Sequence, residues 1–214
     1  MATVASDVMD RSAALLNDPN KSLYTYTKQL PFLQQASDDL TDELAAHSVP
    51  TLREVSAVKS ITAGTTDMTS TLPTDILTPT RLLERKPGQT DDAWLEMVKV
   101  STLPQRTMGA ALIHWVWRED MIYFVGATVN IEVKLYYTRI FTPIASSSSA
   151  IDMVPALSFL AARTAEHISY LSGADKDRAR VLGGMAARAL HVIVAREIRG
   201  MLPVRRKRFK PGLR

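Results

Sequence analysis

"LIHWVWREDMIYFVGATVNIEVKLYYTRIF", residues 112–141, decides how this 214-residue chain is built. Trp115, Trp117, Tyr123, Tyr136 and Tyr137, set among many β-branched residues, favour extended strands. Glu119-Asp120 and Gly126-Ala127-Thr128 supply two short turns, so the stretch predicts a three-strand meander. Upstream the apolar period is already two. "LREVSAVKSITAGTTDM" (52–68) alternates through Leu52, Glu54 or Val55, Val58 and Ile61, then turns at Ala63-Gly64 in the manner of a hairpin. "LPTDILTPTRLLERKPGQ" (72–89) adds a Pro-interrupted strand over residues 76–85, suited to a sheet edge. "WLEMVKV" (94–100) fits either a strand or a short helix. Residues 51–141 therefore read as one β-rich module.

On both sides of that module the period is helical. Val4, Val8, Leu15 and Leu16 share a face that "NDPNKS" stops. Leu30, Leu33, Ala36, Leu40 and Leu44 define a second helix ending near His47, with Pro31 in its first turn and Asp38, Asp39, Asp42 and Glu43 on its other faces. After the polar connection "TPIASSSSA" (142–150), Met153, Leu157, Leu160, Ala161, Thr164 and Ile168 mark a third helix. Past "SGADKD", the apolar face of a fourth takes in Ala179, Leu182, Met185, Ala189, Val192, Ile193 and Ile198. Gly183-Gly184 inside it costs about 1 kcal/mol per glycine relative to alanine unless close packing needs the room. Four apolar stripes are buried most simply as one bundle. The expected fold is α+β: a helical bundle from N- and C-terminal helix pairs (1–50 and 151–202), an inserted β module (51–141), a linker (142–150) and an extended basic C-terminal tail (203–214).

That tail carries six basic residues and no acid. Taking these six from the chain's 26 Lys and Arg leaves 20, against 22 Asp and Glu, so the body is close to neutral. A pI near 9.4 is then weak evidence for nucleic acid, because a DNA-wrapping protein carries its basic stripe on the folded body. With no cysteine, disulfides and cysteine-ligated metal sites are excluded. No apolar run approaches the ~20 residues of a membrane span, and the N-terminus lacks a secretory h-region, so a soluble protein made in the cytoplasm is expected.

Catalytic signatures are missing: no phosphate loop, dinucleotide fingerprint, nucleophile elbow or zinc-protease helix motif occurs. His47, His114, His167 and His191 are scattered without an i, i+4 pair, which reads as helix-end or core histidines and no metal. The four acids of the second helix fan across its solvent side. The module's aromatics could stack on bases, but only Arg118, Lys134 and Arg139 lie nearby, which favours core or subunit interface. No enzyme and no cofactor is expected.

Four stretches then carry a resemblance: "LTDELAAHSVPTLREVSAV" (40–58), "LPTDILTPTRLLER" (72–85), "WVWREDMIYFVGATVNIEVKLYY" (115–137) and "GMLPVRRKRF" (200–209). In this order the chain resembles the head-to-tail adaptor proteins of tailed bacteriophages, the neck or connector ring beneath the portal. The resemblance implies a ring of twelve copies in the virion neck, made in the host cytoplasm, with bundles side by side around a channel that conducts DNA without sequence-specific binding. It implies as partners the portal protein and a tail or further neck protein, and no membrane. Docking on the portal would fall on Pro203, Val204, Arg205, Arg206, Lys207, Arg208, Phe209 and Lys210, with Phe209 as apolar anchor. Trp115, Trp117, Tyr123, Tyr136 and Tyr137 would serve the subunit interface. The alternative is a DNA-binding protein that uses the same tail as a phosphate arm.

Overall fold

The computed structural model describes residues 3–68, 72–171 and 176–201. The chain is divided into two compact units, Met1–Thr51 with Pro143–Arg214, and Leu52–Thr142. The first is helical and the second β-rich, an α+β protein with helical ends around a β module.

The helical unit holds α1 (Ala5–Leu15), α2 (Tyr26–Ala46), α3 (Leu157–Leu171) and α4 (Lys176–Met201). α3 is the central helix: α1, α2 and α4 all pack on it, and it buries Phe159, Leu160, Ala161, Ala165 and Ile168. A helix apolar on so much of its circumference can be covered only from several sides. The serine-rich stretch before α3 satisfies the start of α1. The carbonyls of Ser149 and Ser147 accept the Ala5 and Ser6 N–H groups at 2.9 and 2.8 Å, and the Asp7 carboxylate accepts that of Val4. At α1's other end the Arg178 guanidinium donates to the Leu15 carbonyl. α2 begins earlier than the sequence pattern placed it, at Tyr26, so Pro31 stands in the second turn and not the first.

The α1–α2 turn is organised by Asp18. Its carboxylate accepts the backbone N–H groups of Ser22, Leu23 and Tyr24 and the Ser22 hydroxyl, all within 2.9 Å. These donors, Tyr24's first, hold its pKa down at about 2.

The β unit contains β1 (Arg53–Val55), β2 (Lys59–Ile61), β3 (Ile76–Arg85), β4 (Leu95–Glu96), β5 (Val98–Lys99), β6 (His114–Arg118), β7 (Met121–Phe124) and β8 (Ile131–Arg139). Among the described residues they form two sheets, one ordered β1-β8-β3-β4 with β2 also on β8, the other β5-β6-β7. The expected meander is therefore half realised. β6 and β7 form the hairpin, turning at Glu119 and Asp120 with φ of 53° and 55°, but β8 leaves to become the spine of the other sheet. Its alternating burial, with Ile131, Val133, Leu135 and Tyr137 inward, needs a long partner, and only the ten-residue β3 matches its nine.

Two further expectations change. β1 and β2 do not form a hairpin with each other; both pair antiparallel with β8. β3 is not an edge strand, since β8 and β4 flank it. Pro79 is tolerated because β4 covers only Leu83 and Glu84, and the register with β8 shifts between Pro79 and Arg81. The ambiguous segment proves extended: Leu95–Glu96 joins one sheet and Val98–Lys99 the other, with buried Met97 at the corner. Gly126 approaches so closely that a Cβ there would stand 2.9 Å from the Thr65 carbonyl oxygen.

Because folding lowers the Asp18 pKa, its stabilisation is in full force above the ordinary value of 3.8 and is lost as pH falls toward about 2. Asp18→Asn should lower the melting temperature at neutral pH and flatten the acid limb of a stability-versus-pH curve; an unchanged slope between those values would show that Asp18 does not govern it.

Candidate subunit and portal contact surfaces

A groove of about 480 Å³ lies between α2, α3 and α4 of the helical unit. α2 lines it with Asp39, Asp42, Glu43 and Ala46, and α4 with Gly183, Ala186, Ala187 and Leu190. Both sets follow the i, i+3, i+4, i+7 spacing that puts four side chains on one helix face. α3 contributes Phe159 and Arg163.

Arg163 is the polar centre of this region. Its Nε donates to Asp39 Oδ2 at 2.7 Å and its Nη1 to Glu166 Oε2 at 2.8 Å. Burial works against the guanidinium charge, but the hydrogen bonds to Asp39 and then Glu166 outweigh it and raise the pKa. His167 Nε2 lies 3.0 Å from the same Asp39 oxygen, a contact that requires the ring hydrogen on Nε2. Glu166 in turn fills the space over Gly183, where an added Cβ would meet its Oε1 at 2.6 Å. Gly183 is thus the glycine that needs its room; a Cβ on Gly184 would meet nothing within 4 Å.

Of the four acids on α2, Asp39 is committed to Arg163 and His167, while Asp38 accepts from Gln34. Asp42 and Glu43 are exposed and face no cation among the described residues. Sequence reasoning missed Arg163 and Glu166, which look like the solvated side of a helix. Their one local signal is the i, i+3 spacing of opposite charges. His47 ends α2, His114 opens β6 and His191 is exposed on α4; among the described residues no three His, Asp or Glu side chains converge as a metal site would need.

The module aromatics divide into two groups. Trp115 is fully buried, donating to the Met97 carbonyl, and Tyr137 is nearly so, donating to Asp75. Both are core residues and do not present a face to a neighbour. Burial and the Asp75 hydrogen bond push the Tyr137 hydroxyl up to about 12. Trp117, Tyr123 and Tyr136 are half-buried, with Arg118 over the Tyr123 ring and Arg81 over that of Tyr136. The third tryptophan, Trp94, lies between Arg85 and Lys134 at 4.4 and 4.7 Å from its ring centre. The tail residues Pro203 to Lys210 lie outside the described residues. No described helix is long and apolar enough to cross a membrane.

A bundle carrying a β module is the architecture implied for phage neck adaptors, and comparison with known families agrees. Residues 3–207 match the family described as SU10 adaptor protein, and the chain belongs to that family. It is a head-to-tail adaptor of the phage type. No curated protein matches the chain.

Arg163→Met would leave two carboxylates facing a neutral side chain, and partial solvation keeps the expected loss to about 1–2 kcal/mol. A cycle with Asp39→Asn should return a coupling of about 0.5–1 kcal/mol, and zero coupling would mean the pair is not formed in solution. Gly184→Ala should stabilise by about 0.5–1 kcal/mol, whereas Gly183→Ala should gain less because it displaces Glu166. In a Glu166→Ala background the two glycine substitutions should become equal in thermal melts.

Proposed function

We propose that this adaptor forms a ring of twelve around the DNA channel, docks on the portal through Pro203–Lys210 and joins the head to a tail or further neck protein. It is a structural virion protein with no catalytic role and no cofactor. The observation that carries this reading is the family match, which covers both units and runs on through Arg205, Arg206 and Lys207. The match takes in the start of the basic stretch and ends before Arg208, Phe209 and Lys210.

A short cationic strap binds weakly alone, because ordering it costs chain entropy. Repeated around a ring whose other contacts hold it near the portal, it gains from a high effective concentration. Charges would set approach and orientation, and Phe209 would supply the buried anchor. The near-neutral body suits a channel lining through which DNA slides without adhering. The half-buried Trp117, Tyr123 and Tyr136 add contact between neighbouring modules, with Trp115 and Tyr137 supporting them from the core.

Native mass measurement of portal rings from the same virion, incubated with the full chain or with a chain ending at Leu202, tests the reading. Stoichiometric loading by the full chain and its loss on truncation are expected. If neither form loads and the full chain instead binds DNA with a log K to log salt slope of about −5, the tail is a phosphate arm and the adaptor reading fails.

A further inference from the structure

α4 carries more apolar residues than one buried face accommodates. Ala179, Leu182, Ala186 and Ile193 are buried, but Val181 and Val192 are 64% and 66% exposed and Met185 is 44% exposed. At about 100° per residue, Val181, Met185, Arg188, Val192 and Arg199 fall within roughly 60° of one another. That ridge lies about 180° around the helix from Gly183, Ala186, Ala187 and Leu190, which line the groove. The two surfaces are thus on opposite sides of a single helix.

Their chemistry is complementary. The ridge is apolar and basic, and Arg188 and Arg199 face no carboxylate among the described residues. The groove has a small-residue, apolar floor and a rim whose acids Asp42 and Glu43 are likewise without a cation there. Matched patches on opposite sides of one subunit make a head-to-tail contact, and such contacts generate rings when the rotation closes.

We propose that, in the ring of the preceding section, the α4 ridge of one copy seats in the α2–α4 groove of the next. Met185 and Val192 pack on Ala186, Ala187 and Leu190, and Arg188 pairs with Asp42 and Glu43. The inference rests on the ring reading and adds which faces meet and in which sense. Direction follows from the asymmetry: ridge to groove at every contact, with no two-fold between neighbours.

Charge exchange tests it. Arg188→Glu alone, and Asp42→Arg with Glu43→Arg alone, should each lower ring formation on portal rings about tenfold or more, with melting temperatures near wild type because all three sites are exposed. Mixed, the two variants should assemble again in equal numbers, since each then offers the other a complementary contact on both sides. The cysteine-free chain permits a second readout that does not depend on charge. Oxidised Glu43→Cys/Met185→Cys protein should give a covalent ladder beyond dimer. Wild-type rings with unimpaired single variants, a mixture as defective as its parts, or a ladder that stops at dimer would overturn the inference and leave the ring standing. A Glu43→Cys/Phe209→Cys link within one chain would instead place the basic tail in the groove and also overturn it. Failure of the wild type to form any ring would refute the underlying ring reading itself.

Discussion

The helical unit depends on one guanidinium. Arg163 stands on the central helix, holds α2 through Asp39 and fixes Glu166, and Glu166 sets how closely α4 approaches at Gly183. Apolar packing provides most of the driving force for four helices to associate, but it is non-directional and tolerates small rotations. The Asp39–Arg163–Glu166 chain is directional, and it determines which sides of α2 and α4 are left to line the groove. A groove that is to seat the α4 ridge of another copy, as proposed above, needs that kind of definition.

The β unit is built on other principles. Its core holds the fully buried Trp115 in one cluster with Met97, Leu112, Ile122 and Phe124, and β8 is the strand on which the larger sheet is laid. Several of its charges are paired: Arg81 with Glu96, and Arg85 with Glu132 and Asp91. The solvated Arg81–Glu96 pair contributes little by itself, whereas Arg85 and Glu132 are only 14% and 19% exposed and their pair is less screened by water. In the helical unit Asp42, Glu43, Arg188 and Arg199 face no opposite charge among the described residues.

How much of this was legible in the sequence follows from how local each signal is. The inward faces of α2 and α3 obeyed the 3.6-residue period, and β8's alternation from Ile131 to Tyr137 obeyed the period of two. The strand partners of β8 lie more than 45 residues upstream, and nothing local distinguishes a third meander strand from the spine of a second sheet. Pro79 looked like an edge residue because a strand proline usually is one; a two-residue β4 leaves that position open even inside the sheet. On α4 the apolar period was read as one face, whereas Met185, Val192 and Ile198 are exposed and only Ala179, Leu182 and Ile193 of the expected set are buried. Arg163 and Glu166 were invisible for the opposite reason, since their function arises from the mutual rotation of three helices.

The most direct test is a cryo-electron microscopy reconstruction of the neck formed by this protein on its portal. The account predicts a ring of twelve in which neighbouring helical units touch, α4 of one copy facing α2 of the next, with the chain beyond Leu202 lying on the portal. A ring joined through its β modules alone, with the α2 and α4 faces open to solvent, would contradict it, as would protein bound along DNA with no ring at all.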